Sequence, residues 1–231
     1  MRTAFSVSKS VPAKVAAIVI PVAASGPIPS GVGLNRAQLS ALGFEGRASQ
    51  TQTLPPAAGK TAVRVLLGIG EVRDLDTSVL RNVAASAARA CARYESIATS
   101  LPGVMRGSAK APTQAVVEGI ALALHRWVAL KNDKSGLSKL TSVTLVSAEK
   151  TAEVQAGMLM GIATSTAVCT ARDLQTLRRR TSRPANLQSM LWRLPKHLVS
   201  KPPCTTKINS LQWVAADLLA LMLVAQSHHA W

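Results

Sequence analysis

Residues 61–69, TAVRVLLGI, are the stretch that most limits what this chain can become. They are compact, rich in β-branched and aliphatic side chains, and bounded by Gly59-Lys60 before and Gly70 after, so they predict a buried strand. A strand of this kind needs cover on its faces, and the composition says what the cover is made of. Aromatic residues are only 3% of 231, so the core has to be built from Val, Leu, Ile and Ala, which suits an α/β sheet covered by Ala-rich helices.

The rest of the chain supplies such elements in order. Residues 14–22, KVAAIVIPV, predict a central strand, followed by a Pro- and Gly-containing loop over 24–33 and a short helix over 34–42. Residues 51–54 predict an edge strand before Pro55-Pro56. Asp76 or Thr77 opens a long helix to about Ser96, with Leu80, Val83, Ala84, Ala87, Ala88, Cys91 and Tyr94 on its apolar face. A short strand is expected over 97–101. Pro112 suits the first position of a helix whose apolar residues recur through Ile120 and Leu124 to Trp127.

Residues 140–146, LTSVTLV, predict a last strand, and residues 147–174 a last helix, with Ser147 as its cap and Glu149 in its first turn. Val154, Met158, Leu159, Ile162, Thr166 and Cys169 share one stripe of that helix, with Gly157 and Gly161 beside it, which predicts close packing against a sheet. The order implies an α/β fold, a mixed or mostly parallel sheet flanked by helices. No apolar run is read as reaching the 18 or so residues of a membrane span. Arg2, Lys9 and Lys14 ahead of the apolar residues 15–24 have the composition of an export signal, but the run is short and contains Pro21, as suits a first buried strand.

The net charge of +16 is unevenly spread. Residues 1–174 hold 19 Lys and Arg against 10 Asp and Glu, a balance of +9; residues 175–231 hold 8 against 1, a balance of +7. From Gln175 the wording changes to Arg178-Arg179-Arg180, Arg183-Pro184, Pro195 and Pro202-Pro203, and no helical or strand period returns until the apolar residues 211–224. Residues 175–231 are therefore expected to be an irregular basic tail, poorly ordered, of the kind that translation in a shifted frame of a GC-rich gene produces. The runner-up reading is a basic nucleic-acid-associated module acting through residues 178–207, by phosphate neutralisation. Cys91, Cys169 and Cys204 are odd in number and lie far apart, as reduced cysteines of a cytoplasmic protein do.

The closing wording of the last helix, GIATSTAVCTARDL, resembles the end of the N-terminal domain in the leucine (cytosol) aminopeptidase family, where Ala-Arg-Asp-Leu leads into an Asn-x-Pro-Pro stretch. Ala171, Arg172, Asp173 and Leu174 match; Gln175, Thr176 and Leu177 depart. AIVIPV, VRVLLGIGE, LRNVAASAARA and VVEGIALALHRW also resemble that domain, in the same order, so the likeness covers about residues 13–174 and its Ala-rich wording looks actinobacterial. It implies a macro-domain-like α/β fold. In the full-length family the implied activity is release of N-terminal amino acids from peptides in the cytoplasm. Two divalent metal ions, manganese or zinc, serve a carboxy-terminal domain that also builds a homohexamer.

The chemistry that resemblance implies needs Lys, Asp and Glu ligands, including an Asn-Thr-Asp-Ala-Glu-Gly-Arg signature. The signature is missing here, and beyond Asp173 the only carboxylate side chain is Asp217. No catalytic, cofactor-binding or metal-binding residue is therefore assigned, and this chain is expected to lack peptidase activity of its own, with neither a hexamer, a specific nucleic acid nor a membrane as its partner. Gly68-Ile69-Gly70 lies where a phosphate cradle could form, which a macro-like fold would invite, but it lacks a third glycine. Gly59-Lys60-Thr61 enters a strand instead of leaving one, unlike a phosphate-binding loop. His125 reads as a packed histidine on an apolar helix, and His228-His229 have no carboxylate beside them.

Overall fold

A computed structural model describes residues 3–128, 136–148 and 151–176. Six strands form one sheet: β1 (Ala4–Ser8), β2 (Ala17–Ala23), β3 (Thr51–Leu54), β4 (Val63–Gly70), β5 (Ser96–Thr99) and β6 (Ser142–Val146). Their spatial order is β1-β6-β5-β2-β4-β3, and every neighbouring pair is parallel except β3 with β4. This is the mixed α/β sheet flanked by helices that the strand and helix order implied. The strand read from residues 61–69 lies one in from the β3 edge, between β2 and β3, with Val65, Leu66 and Leu67 fully buried.

The sheet begins earlier than residue 13, because β1 pairs in register with β6, Phe5 opposite Val143 and Val7 opposite Leu145. Pro21 is tolerated in β2 for a local reason. Pairing with β5 ends at Val19 opposite Thr99, so Pro21 sits where β2 is paired on the β4 side only.

Four helices cover the sheet: α1 (Arg36–Ala41), α2 (Thr77–Ala90), α3 (Lys110–Leu124) and α4 (Thr151–Thr176). Asp76 caps α2 by accepting from the Val79 amide at 2.7 Å. That helix stops well short of Ser96, since Cys91 is its C-cap and the chain must turn to enter β5. Helix α3 starts at Lys110 with Ala109 before it, so Pro112 is its third residue and not its first. Both positions lie in the first turn, where a missing N–H costs no helical bond.

One face of the sheet carries the main core, in which Val19, Val65, Leu67, Ile97, Val143 and Leu145 meet the inner faces of α2, α3 and α4. The opposite face has a smaller core of Ile20, Val22, Leu66, Leu39, Val32 and Phe44 beneath α1 and its flanking loops.

Helix α4 packs mainly on α3 and touches the sheet at its β1 edge. Its contact face is set by glycines: a β-carbon on Gly157 would lie 2.2 Å from the Lys110 carbonyl oxygen, and one on Gly161 would lie 2.8 Å from the Val117 β-carbon. Gly119 of α3 does the same against α2, at 2.2 Å from the Arg81 carbonyl oxygen. Val154 and Met158 are buried beside the notch, whereas Leu159 is turned to solvent, 60% exposed, contrary to its place on the expected stripe. The Ser147 amide donates to the Ser8 carbonyl and extends the β1–β6 ladder, and Glu153 is an acid in the first described turn of α4; the cap expected of Ser147 and the place of Glu149 fall on residues outside those described.

The expectation that no run reaches membrane length needs correction too. Thr151–Asp173 is long and apolar enough to span a bilayer by length and composition, because alanines, glycines and threonines fill it without a charge from Val154 to Ala171. Those small residues serve the close approach to α3.

Candidate functional site

The strands' carboxyl ends are where parallel sheets ordinarily receive ligands. In this molecule the polar groups there are already committed to one another. Arg36 donates to the carbonyls of Ala23 and Gly26, both at 2.9 Å, and the Ser25 hydroxyl donates to Glu71. The Gly68-Ile69-Gly70 turn is filled by the chain itself. A β-carbon on Gly68 would lie 2.0 Å from the Arg47 carbonyl oxygen, and the Gly70 amide donates to the Gly46 carbonyl at 2.9 Å. These glycines let residues 46–49 cross over β4, which leaves no cradle for a phosphate. The start of α3 is occupied likewise: Glu153 of α4 accepts from the Ala109 amide at 2.6 Å and from the Ser108 hydroxyl at 2.8 Å.

The closing segment has a structural task that its sequence alone does not disclose. Helix α3 ends at Leu124, and His125 turns out of it with φ −66° and ψ 124°, so neither His125 nor Trp127 continues the helix as expected. His125 Nε2 then lies 2.9 Å from Asp173 Oδ1. Both atoms are shielded from solvent, and their approach stops short of an aligned hydrogen bond. Arg172 adds a long contact, 3.5 Å, to the Leu122 carbonyl. Together the two residues fasten the end of α4 to the end of α3. The helix itself runs on to Thr176, so the departure at Gln175 falls within α4 and not after it.

A cavity of about 330 Å³ lies beside this fastening, lined in part by Thr3, Phe5, Ile162, Thr166, Cys169 and Asp173. His125 and Asp173 could exchange a proton there, but two groups without an activated nucleophile or an electrophile do not make a reaction centre. Among the described residues, no three of His, Cys, Asp and Glu are grouped so as to hold a metal ion. Cys91 is fully buried, and burial pushes its thiol up to about 12, the charge of Arg93 opposing. Such a thiol is inert at neutral pH. Residues 178–207, Cys204, residues 211–224 and His228-His229 lie outside the described residues, so the nucleic-acid reading of the basic stretch has no structural counterpart here.

A six-stranded mixed sheet, three helices closely stacked on one face and a polar end closed upon itself define a small α/β domain. Residues 31–134 match the model of the cytosol aminopeptidase family, N-terminal domain. A probable cytosol aminopeptidase of Microcystis aeruginosa (strain NIES-843 / IAM M-2473) is 33% identical over 106 residues, 45% of this chain and 21% of that protein. Among solved structures, the bottromycin maturation enzyme BotP has a TM-score of 0.66 at 21% identity, over 80% of this chain and 38% of its own. A mutant of tomato leucine aminopeptidase has a TM-score of 0.68 at 15% identity, over 86% of this chain and 43% of its own. Residues 31–134 of this chain are thus similar to the N-terminal domain of the cytosol aminopeptidase family. The chain spans about a fifth of the curated relative's length.

Proposed function

We propose that the described body is a non-catalytic N-terminal domain of a leucyl-aminopeptidase-like, cytoplasmic protein, and that these 231 residues have no peptidase activity of their own. What supports this reading is the family match inside a body where four acidic side chains are engaged in structural contacts. Glu118 holds Arg81, Glu153 caps α3, Asp76 caps α2 and Asp173 faces His125. A two-metal centre needs several carboxylates converging on one point, and past Asp173 only Asp217 remains. Peptide substrate, manganese or zinc, and a hexameric ring belong to the full-length architecture. The composition change at Gln175 is read as an aberrant continuation in another frame, and the coding DNA around that codon tests that part directly.

A calorimetric titration of the purified chain with Mn²⁺ tests the assignment. We expect no saturable uptake at micromolar concentration; two ions bound per chain would overturn it.

A further inference from the structure

The loop-covered face of the sheet holds a second cavity, of about 500 Å³, at the amino ends of β2 and β4. It lies at the opposite end of these strands from the crevice that the chain has closed. Three separated segments wall it: residues 11–15 ahead of β2, the turn at Gly31, and residues 57–62 ahead of β4. Its volume is within the roughly 300–1,000 Å³ of small-molecule sites.

The lining has two kinds of surface. Val15, Ile18, Ile20 and Ala62 make an apolar wall, and Val11, 43% exposed, stands at the mouth. The charged lining residues are Lys60 and Arg64, both cationic, and the lining contains no Asp or Glu. Arg64 is already engaged, donating to the carbonyls of Val32 at 2.7 Å and Pro55 at 2.9 Å, so it anchors the wall and adds positive potential. Lys60 takes part in no ion pair among the described residues, unlike Arg47 with Glu45, Arg73 with Asp74 and Arg81 with Glu118. An ammonium group beside an apolar pocket, without an internal counter-charge, complements a ligand that has an anionic head and an apolar body.

We propose that this cavity binds a small apolar carboxylate, with its hydrocarbon part against Ile18 and Ile20 and its carboxylate at Lys60. The site is independent of peptidase chemistry, since none of its residues belongs to the α3–α4 fastening or to the closed end of the sheet. Gly31 offers a way to fill it. A β-carbon there would rest 3.5 Å from Ile20 Cδ1, an ordinary contact, and its backbone is not left-handed, so a larger side chain grows along the pocket wall without forcing the main chain.

The experiment is an NMR titration of the full chain with butanoate, hexanoate and octanoate, and with octylamine as the tail-matched cation. We expect saturable binding of the carboxylates that tightens roughly fourfold per added methylene until the pocket is full. Octylamine should bind at least tenfold more weakly than octanoate. Gly31→Leu should abolish octanoate binding and Lys60→Glu, an exposed change, should weaken it about tenfold, each variant first shown to melt like the parent chain. The proposal is overturned if octanoate does not saturate, if octylamine binds equally well, or if Lys60→Glu binds octanoate as the parent does.

Discussion

The two faces of this sheet are covered by opposite strategies. On the helix side, glycines at 119, 157 and 161 bring α2, α3 and α4 so close that backbone meets backbone. On the other side, the six-residue α1 and a set of loops span the sheet without stacking helices, and a cavity of about 500 Å³ remains beneath them. Close helix contact gives dispersion energy and a unique arrangement at the expense of free space. Loop cover gives up some of that packing and keeps room. The close packing lies on the first face, and the larger of the two cavities described lies on the second.

Substitutions at matched glycines should show the contrast most strongly. Gly157→Val puts a branched side chain where even a β-carbon meets the Lys110 carbonyl, and should cost about 3 kcal/mol by urea denaturation. A midpoint within error of the parent chain would break the comparison. Arg81→Ala should cost about 2 kcal/mol. It strands the Glu118 carboxylate, whose side chain is 6% exposed and would keep only Gln114 as a partner, while Arg81 itself is 40% exposed and so partly hydrated.

Cys91 sharpens the same contrast by pH. Its thiol is held near 12 against an ordinary value of 9.0, so the folded state favours the protonated form. The stability that it contributes is fully present below about pH 9 and is lost as pH rises from there towards 12. Urea midpoints should fall over that window, and Cys91→Ala should flatten the fall. Asp173→Asn alters the contact with His125, in which the Asp173 side chain is 37% exposed, and should cost only about 0.5 kcal/mol, chiefly by fraying the end of α4 in hydrogen exchange. Gly31→Ala, on the loop side, should change stability by less than about 0.5 kcal/mol.

Much of the helix face was legible in the residues, because hydrophobic period and glycine placement are local signals. Residues 61–69, the apolar face of α2 from Leu80 to Ala88, and the pairing of Gly157 with Gly161 all carry them. Strand β1 was missed because Ala4–Ser8 is short and keeps only Phe5 and Val7 turned inward, a pattern too brief to distinguish from loop. Leu159 was misplaced because the period fits several neighbouring stripes, and the glycine notch, not the bulkiest side chains, decides which one turns inward. The His125–Asp173 contact and the cavity at Lys60 join residues remote in sequence, and no spacing rule reaches them.

The most direct test is hydrolysis of leucyl-p-nitroanilide by the purified 231-residue chain, with Mn²⁺ or Zn²⁺ supplied. We expect no release of nitroaniline above the metal-only control. Turnover that a chelator abolishes and Mn²⁺ restores would contradict the assignment of this body as a non-catalytic domain.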